Sequence, residues 1–147
     1  MPRYLLDTDV YSQALRRQPD PIATRRWQLV GDSACVVSVV SVAEVEWGLH
    51  KLASPSAWTR YETLLKPRLV IAPSDAAVWA QFARLKAVQM STGRPVADLD
   101  LLIAATAVAL GLTVATRNVR HFSLSGASVS GSAPVSRSPR VMFATSH

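Results

Sequence analysis

The stretch Val96-Ala-Asp-Leu-Asp-Leu-Leu-Ile-Ala-Ala-Thr-Ala-Val-Ala-Leu110 decides how the rest of the chain is read. From Leu101 to Leu110 the only polar side chain is Thr106. A helix with so little polar surface belongs in an interior. Two carboxylates, Asp98 and Asp100, stand at its entrance. Capping explains them if Asp98 is the N-cap and Asp100 faces the positive end of the helix dipole. The other reading is that the helix N-terminus holds a carboxylate ionised and presents it to a metal. The distribution of the remaining acids bears on that choice.

Working outward, apolar runs alternate with helical patterns. Tyr4 to Leu6 is a short strand that stops at Asp7, after which Thr8 or Asp9 can cap a helix through Leu15. Pro19 and Pro21 break the chain, and Ile22 to Val30 fits a helix closed by Gly31. Ala34 to Val40 has the continuous β-branched character of a parallel strand covered on both faces. Ser41-Val-Ala-Glu44 has the spacing of a capping box, opening a helix from Val42 to Leu52. Another helix starts at Pro55 and runs to about Leu65, and Leu69 to Ala72 is a third strand. Ser74 or Asp75 caps a long amphipathic helix with Val78, Phe82 and Leu85 inward and Val88 a further candidate. Gly111 ends the apolar helix, and Leu112 to Ala115 is a fourth strand. From Ser123 onward Ser, Gly and Pro dominate, which predicts a loosely ordered tail with Val129, Val135 and Val141-Met-Phe143 as anchors and room for one short strand near 127–130. The alternation predicts an α/β fold: a mainly parallel sheet of four to five strands with helices on both faces, and a functional crevice at the carboxyl ends of the strands.

Length and composition narrow the class. With 147 residues, 49% hydrophobic and 18% charged, the chain suits one globular domain with a real core. No apolar run is long enough to span a bilayer, and Asp7 and Asp9 interrupt any leader-like core, so a cytoplasmic location is expected. The single Cys35 excludes an intramolecular disulfide and a cysteine-based zinc cluster. The net charge of +6 suits a polyanionic partner, although the basic residues are scattered.

Six of the ten acids occur as three close pairs, Asp7/Asp9, Glu44/Glu46 and Asp98/Asp100. Each pair follows a strand or opens a helix, so a doubly wound sheet can bring all three to one edge. Gathered carboxylates repel by roughly 4 kcal/mol at ~4 Å even at an effective dielectric of 20, which protons or a cation must offset. An all-oxygen cluster without Cys or grouped His suits Mg²⁺ or Mn²⁺. Glu44 as a box residue, Asp9 as an N-cap and Glu46 as a solvated side chain remain the plain structural readings. Asp7 has no such simple reading at the end of a buried strand.

Leu5-Leu-Asp-Thr-Asp-Val, Ser41-Val-Ala-Glu-Val-Glu-Trp-Gly48, Asp100-Leu-Leu-Ile-Ala-Ala-Thr-Ala107 and Ala115-Thr-Arg-Asn-Val-Arg-His-Phe122 together resemble the PIN-domain nucleases, and more narrowly the VapC-type ribonuclease toxins of bacterial toxin–antitoxin modules. The resemblance covers residues 3 to about 122, which divides the chain into a nuclease domain at 1–122 and a tail at 123–147. It implies a PIN-like three-layer sandwich and a Mg²⁺-dependent endoribonuclease, with Mn²⁺ as a substitute, cutting a structured RNA such as tRNA or rRNA. It implies Asp7, Glu44 and Asp100 as the catalytic acids, with Asp7 and Asp100 as direct metal ligands. Thr8, Asp98, Thr116 and Asn118 would bind substrate or support that site. Asn118 stands where many members carry an acid, and His121 where an Asp often precedes the Phe.

By the same resemblance a cognate antitoxin, an RNA substrate and a homodimer are the expected partners, with no membrane. Trp27, Trp47, Trp58 and Trp79 are candidates for partner contacts, with core packing the expected fate of at least two. Arg117 or Arg120 could steady the RNA backbone. Two rivals stand beside this reading. One is a module that keeps the acids, binds RNA or a protein, and has lost catalysis. The other is a haloacid-dehalogenase-like phosphatase with Asp7 as nucleophile, since Asp7-Thr-Asp9-Val after a strand resembles that family's first motif.

Overall fold

The computed structural model describes residues 1–93, 96–117 and 140–143. Strands β1 (Tyr4–Leu6), β2 (Cys35–Ser38), β3 (Val70–Ala72), β4 (Thr113–Thr116) and β5 (Arg140–Phe143) form one sheet in the order β3-β2-β1-β4-β5. Every neighbouring pair is parallel. The helices are α1 (Thr8–Ser12), α2 (Pro21–Val30), α3 (Val39–Leu52), α4 (Pro55–Arg60), α5 (Ala76–Thr92) and α6 (Asp98–Leu110).

The two-residue period of a strand divides the central residues between two cores. Leu5, Val36 and Val114 enter one core with α5 and α6, while Leu6, Val37 and Ala115 enter the other with α1, α2 and α3. This is the three-layer arrangement expected from strands that are apolar on both faces. The chain lays down β1, β2 and β3 in one direction, then returns past β1 to place β4 on its other side. The strand order therefore reverses between β1 and β4, and the crevice of a doubly wound sheet opens at that point.

α6 is the interior helix that its sequence describes: every residue from Leu101 to Val108 is buried. It ends at Gly111, whose φ of 68° accepts the left-handed turn a side chain would resist. Its N-cap, however, is Ala97, and Asp98 is the first helical residue. α3 begins earlier than expected because the buried Ser38 hydroxyl accepts from the Val40 amide. That cap shortens the predicted second strand and puts Ser41 and Glu44 inside the helix, so their capping box does not form. α4 passes into a π turn at Tyr61–Leu65 in place of one continuous helix.

On α5 the inward stripe runs through Val78, Phe82 and Leu85 and continues to Gln89, leaving Val88 exposed. The Gln89 amide is accommodated by donating to the Val96 carbonyl. Trp27 is buried and Trp58 packs against the same core, whereas Trp47 and Trp79 are exposed. β5 forms at 140–143, where the composition suggested anchors in a loose tail, while the strand expected at 127–130 lies outside the described residues. The pairing of β5 with β4 supplies a backbone reason for order that Ser/Gly/Pro content does not reveal.

Candidate functional site

The parallel register sets Leu6 opposite Ala115, so the next residues, Asp7 and Thr116, leave the sheet together at the switch point. The Asp7 amide still donates to the Ala115 carbonyl at 3.0 Å, continuing the ladder by one bond. Its side chain then caps α1: Oδ1 accepts from the amides of Asp9 (2.7 Å) and Val10 (3.2 Å). Asp7, and neither Thr8 nor Asp9, is therefore the N-cap, which supplies the structural role that the sequence did not suggest for it. Oδ2 accepts from the Thr116 hydroxyl. A carboxylate offers about four lone-pair sites, so these three bonds leave roughly one, on Oδ2.

Glu44 comes from the second turn of α3. Its Oε1 accepts from the Thr8 hydroxyl at 2.8 Å, and Thr8 Oγ1 also lies 2.9 Å from Ser41 Oγ. Thr8 thus joins α1 to α3 beside the acid, and Ser41 is a fully buried participant that sequence reasoning assigned only to a cap. Asp100 stands half-buried in the first turn of α6.

Burial holds Asp7 above the usual carboxylate range, against the lowering effect of Thr116 and the two amides, and the nearby Asp9 charge adds to the rise. Burial also raises Glu44, with further contributions from Asp100 and Asp7. Glu44 therefore senses acids from two other elements, Asp7 and Asp100, at one edge of the sheet.

The remaining expected site residues divide. Thr8 and Thr116 are in the cluster. Asp98 is exposed and pairs with Lys86 at 2.8 Å. Asn118, Arg120 and His121 lie outside the described residues. Arg117 is occupied by carboxylates: one nitrogen meets Asp9 and the other Asp20, each at 3.0 Å. Asp20 is itself the N-cap of α2, so Arg117 ties the end of β4 to the starts of two helices and is not a free hand for substrate. Asp9 is held from its other side by Arg16 at 3.0 Å, and Glu46 by Lys66 at 2.9 Å. Burial pushes the Cys35 thiol up to about 11, in keeping with an inert core residue.

Among the described residues no three His, Cys, Asp or Glu side chains stand close enough to enclose an ion without adjustment. The donor chemistry nonetheless fits a hard divalent cation. The donors are all oxygen, and a positive charge would offset the burial that raises Asp7 and Glu44 and the repulsion that Glu44 meets from Asp7 and Asp100.

A parallel sheet with acids gathered at its switch point defines a class of α/β proteins that act at the carboxyl edge of their strands. The family model for the PIN domain matches residues 4–126, and the chain belongs to that family. It is 30% identical over 131 residues to the VapC ribonuclease Y4jK of Sinorhizobium fredii, covering 83% of this chain and 91% of the relative. It is also 30% identical over 122 residues to ribonuclease VapC2 of Haemophilus influenzae, with 83% and 91% covered. Among solved structures it superposes on FitAcB from Neisseria gonorrhoeae with a TM-score of 0.76 at 31% identity, over 82% of this chain and 91% of that one. These relatives place it among the VapC-type ribonuclease toxins. The match runs through Asp7-Thr-Asp9 and leaves the dehalogenase-like resemblance without support.

Proposed function

We propose that this protein is a Mg²⁺-dependent endoribonuclease, the toxin of a toxin–antitoxin pair, that hydrolyses phosphodiester bonds of a structured RNA such as tRNA or rRNA. The observation that carries the reading is the position of Glu44, which senses the charges of both Asp7 and Asp100. Capping accounts for Asp7 alone and leaves that convergence unexplained.

In this reading Asp7 and Asp100 would hold the metal. A bound divalent cation supplies a Lewis acid and makes a water more acidic. The chain's own residues do the rest. Asp7 is fixed by three hydrogen bonds, so its remaining lone pair keeps a set direction. Glu44, whose pKa is raised by burial, is suited to accept a proton from the attacking water and is oriented for it by Thr8. Thr116 holds Asp7 from the end of β4, and Asn118 is assigned a supporting role by its place in the sequence. Asp98 is assigned at most an indirect part, through its position two residues before Asp100.

The catalytic unit is assigned to residues 1–122, with the chain beyond it contributing β5. A cognate antitoxin and a second copy of the chain are the proposed protein partners. No helix among the described residues is long and apolar enough to cross a membrane, and the proposed location is the cytoplasm.

The test is cleavage of total cellular RNA by purified, partner-free protein in Mg²⁺, Mn²⁺ or EDTA, beside Asp7→Asn and Asp100→Asn. Discrete fragments that need the metal and both carboxylates are expected, and mapping their ends identifies the target. The second reading, a binding module without catalysis, draws on the absence of a closed three-residue ligand set among the described residues. It is adopted if folded wild type binds neither Mg²⁺ nor Mn²⁺.

A further inference from the structure

We infer that the outer face of α3 between Glu44 and Lys51 receives a single-stranded stretch of the RNA, with the Trp47 ring as a platform for one base and Lys51 as the contact to its phosphate. This rests on the nuclease reading and says where the substrate lies beside the acids. Glu44, Trp47, Gly48 and Lys51 follow one another at i, i+3, i+4 and i+7 and so share one face of the helix. Helical side chains tilt toward the N-terminus, which leans Trp47 toward Glu44.

Trp47 is 67% exposed, and the Lys51 ammonium stands 5.4 Å from the centre of its ring. A Cβ added at Gly48 would meet nothing within 4 Å, so the ledge beside the ring is open. Neither feature serves the fold: an exposed ring buries little area, and a glycine in mid-helix is a poorer helix former than alanine. Among the described residues no carboxylate pairs with Lys51, whereas Lys66 and Lys86 both have partners. An exposed ring carrying an ammonium over it, with no carboxylate claiming that ammonium among the described residues, is the arrangement that stacks a base and meets its phosphate whatever the sequence. The chain's net charge of +6 favours such a polyanion over an acid-poor protein segment. The other half-exposed indole, Trp79 on α5, sits edge-on to Phe82 and on a different helix, which makes it a natural control.

The test is binding of a 5′-labelled, mixed-sequence single-stranded oligoribonucleotide to the full chain in EDTA, where nothing is cut, with cleavage in Mg²⁺ measured separately. Trp47→Leu is expected to weaken binding about tenfold, Trp47→Phe to recover most of it, and Trp79→Leu to bind as wild type. The tenfold difference should shrink on an oligonucleotide carrying abasic sites. Lys51→Gln is expected to lower the slope of log affinity against log salt by about one. No binding by wild type, or equal binding by wild type and Trp47→Leu, overturns the proposal. So does a Trp47→Leu loss that disappears once self-association is matched by sedimentation, since the ring is then a contact between copies. If Trp47→Leu loses antitoxin binding while its RNA affinity stays unchanged, the face belongs to that partner and the proposal is likewise overturned. Base-dependent binding without metal-dependent cleavage would sink the nuclease reading and leave the platform; cleavage with an unchanged KM in Trp47→Leu would do the reverse.

Discussion

The Thr116 hydroxyl donates to Asp7 Oδ2, joining residues 109 apart in the chain at the point where the strand order reverses. The other oxygen of Asp7 accepts from the Asp9 amide, the Asp9 carboxylate is held by Arg117, and Arg117 follows Thr116. A closed ring of contacts thus surrounds one carboxylate. Thr116→Val breaks the ring at a buried, charge-assisted bond and should cost about 2 kcal/mol in denaturant unfolding. Thr116→Ser keeps the hydroxyl and should recover most of that loss; equal losses in both would assign the effect to packing.

Asp7 itself should oppose folding while no metal is bound. Its folded pKa lies above the ordinary carboxylate value, and so does that of Glu44. The folded state therefore binds more protons over that interval, and stability rises as pH falls from the raised folded value toward the ordinary one. Asp7→Asn keeps an N-cap, since Asn and Asp cap about equally well. The variant should melt at or above wild type without metal and show a flatter pH dependence. It should lose the thermal shift on adding Mn²⁺ and fall in RNA cleavage by more than about 100-fold. A lower melting point in EDTA would mean that capping by the charged form outweighs its desolvation.

Arg117 is expected to act through Asp9 and not through substrate. Arg117→Met should cost about 1 kcal/mol, a partly exposed network being worth little more, and the difference should narrow at high salt. Mn²⁺ affinity should fall several-fold in the same variant, because Asp9, whose amide positions Asp7 Oδ1, loses one of its two guanidinium tethers. Titration calorimetry reads this directly.

Acid should uncouple Asp32 from Arg68. The guanidinium reaches both oxygens of Asp32 at 2.8 and 3.0 Å, and the Trp27 indole donates to Oδ1 at 2.8 Å. Arg68 is the main cause holding this carboxyl below its usual range. The stability it contributes is complete above the ordinary carboxylate pKa and is lost as pH falls through the depressed one. Asp32→Ala should cost about 1 kcal/mol at neutral pH and converge with wild type in acid. A gap that persists in acid would place the effect in Trp27 packing.

Ala53 closes α3 with a φ of 53°, the one non-glycine residue in the left-handed region among the described residues. Ala53→Gly should stabilise the protein by about 1 kcal/mol, visible as a higher midpoint in urea at unchanged slope. No change would show that the local backbone relaxes around alanine.

Patterns carried by neighbouring residues were legible from the sequence alone. Continuous apolar runs marked four parallel strands, the absence of polar residues marked α6 as interior, and pairing of the acids marked the edge of the sheet. Such patterns report burial, which each residue's own chemistry encodes. Long-range geometry settled what remained. Asp7 is a cap as well as a proposed site acid because α1 starts immediately after β1, and Ser38 displaces Ser41 as the cap because β2 ends two residues early. Asp98 faces solvent and Lys86 while the charge of Asp100, about 200° further round the helix, reaches Glu44, because the packing of the whole chain decides what lies against each face of α6. β5 owes its place to the free edge of β4, since a strand is stabilised by the partner it pairs with and its own composition need not announce it.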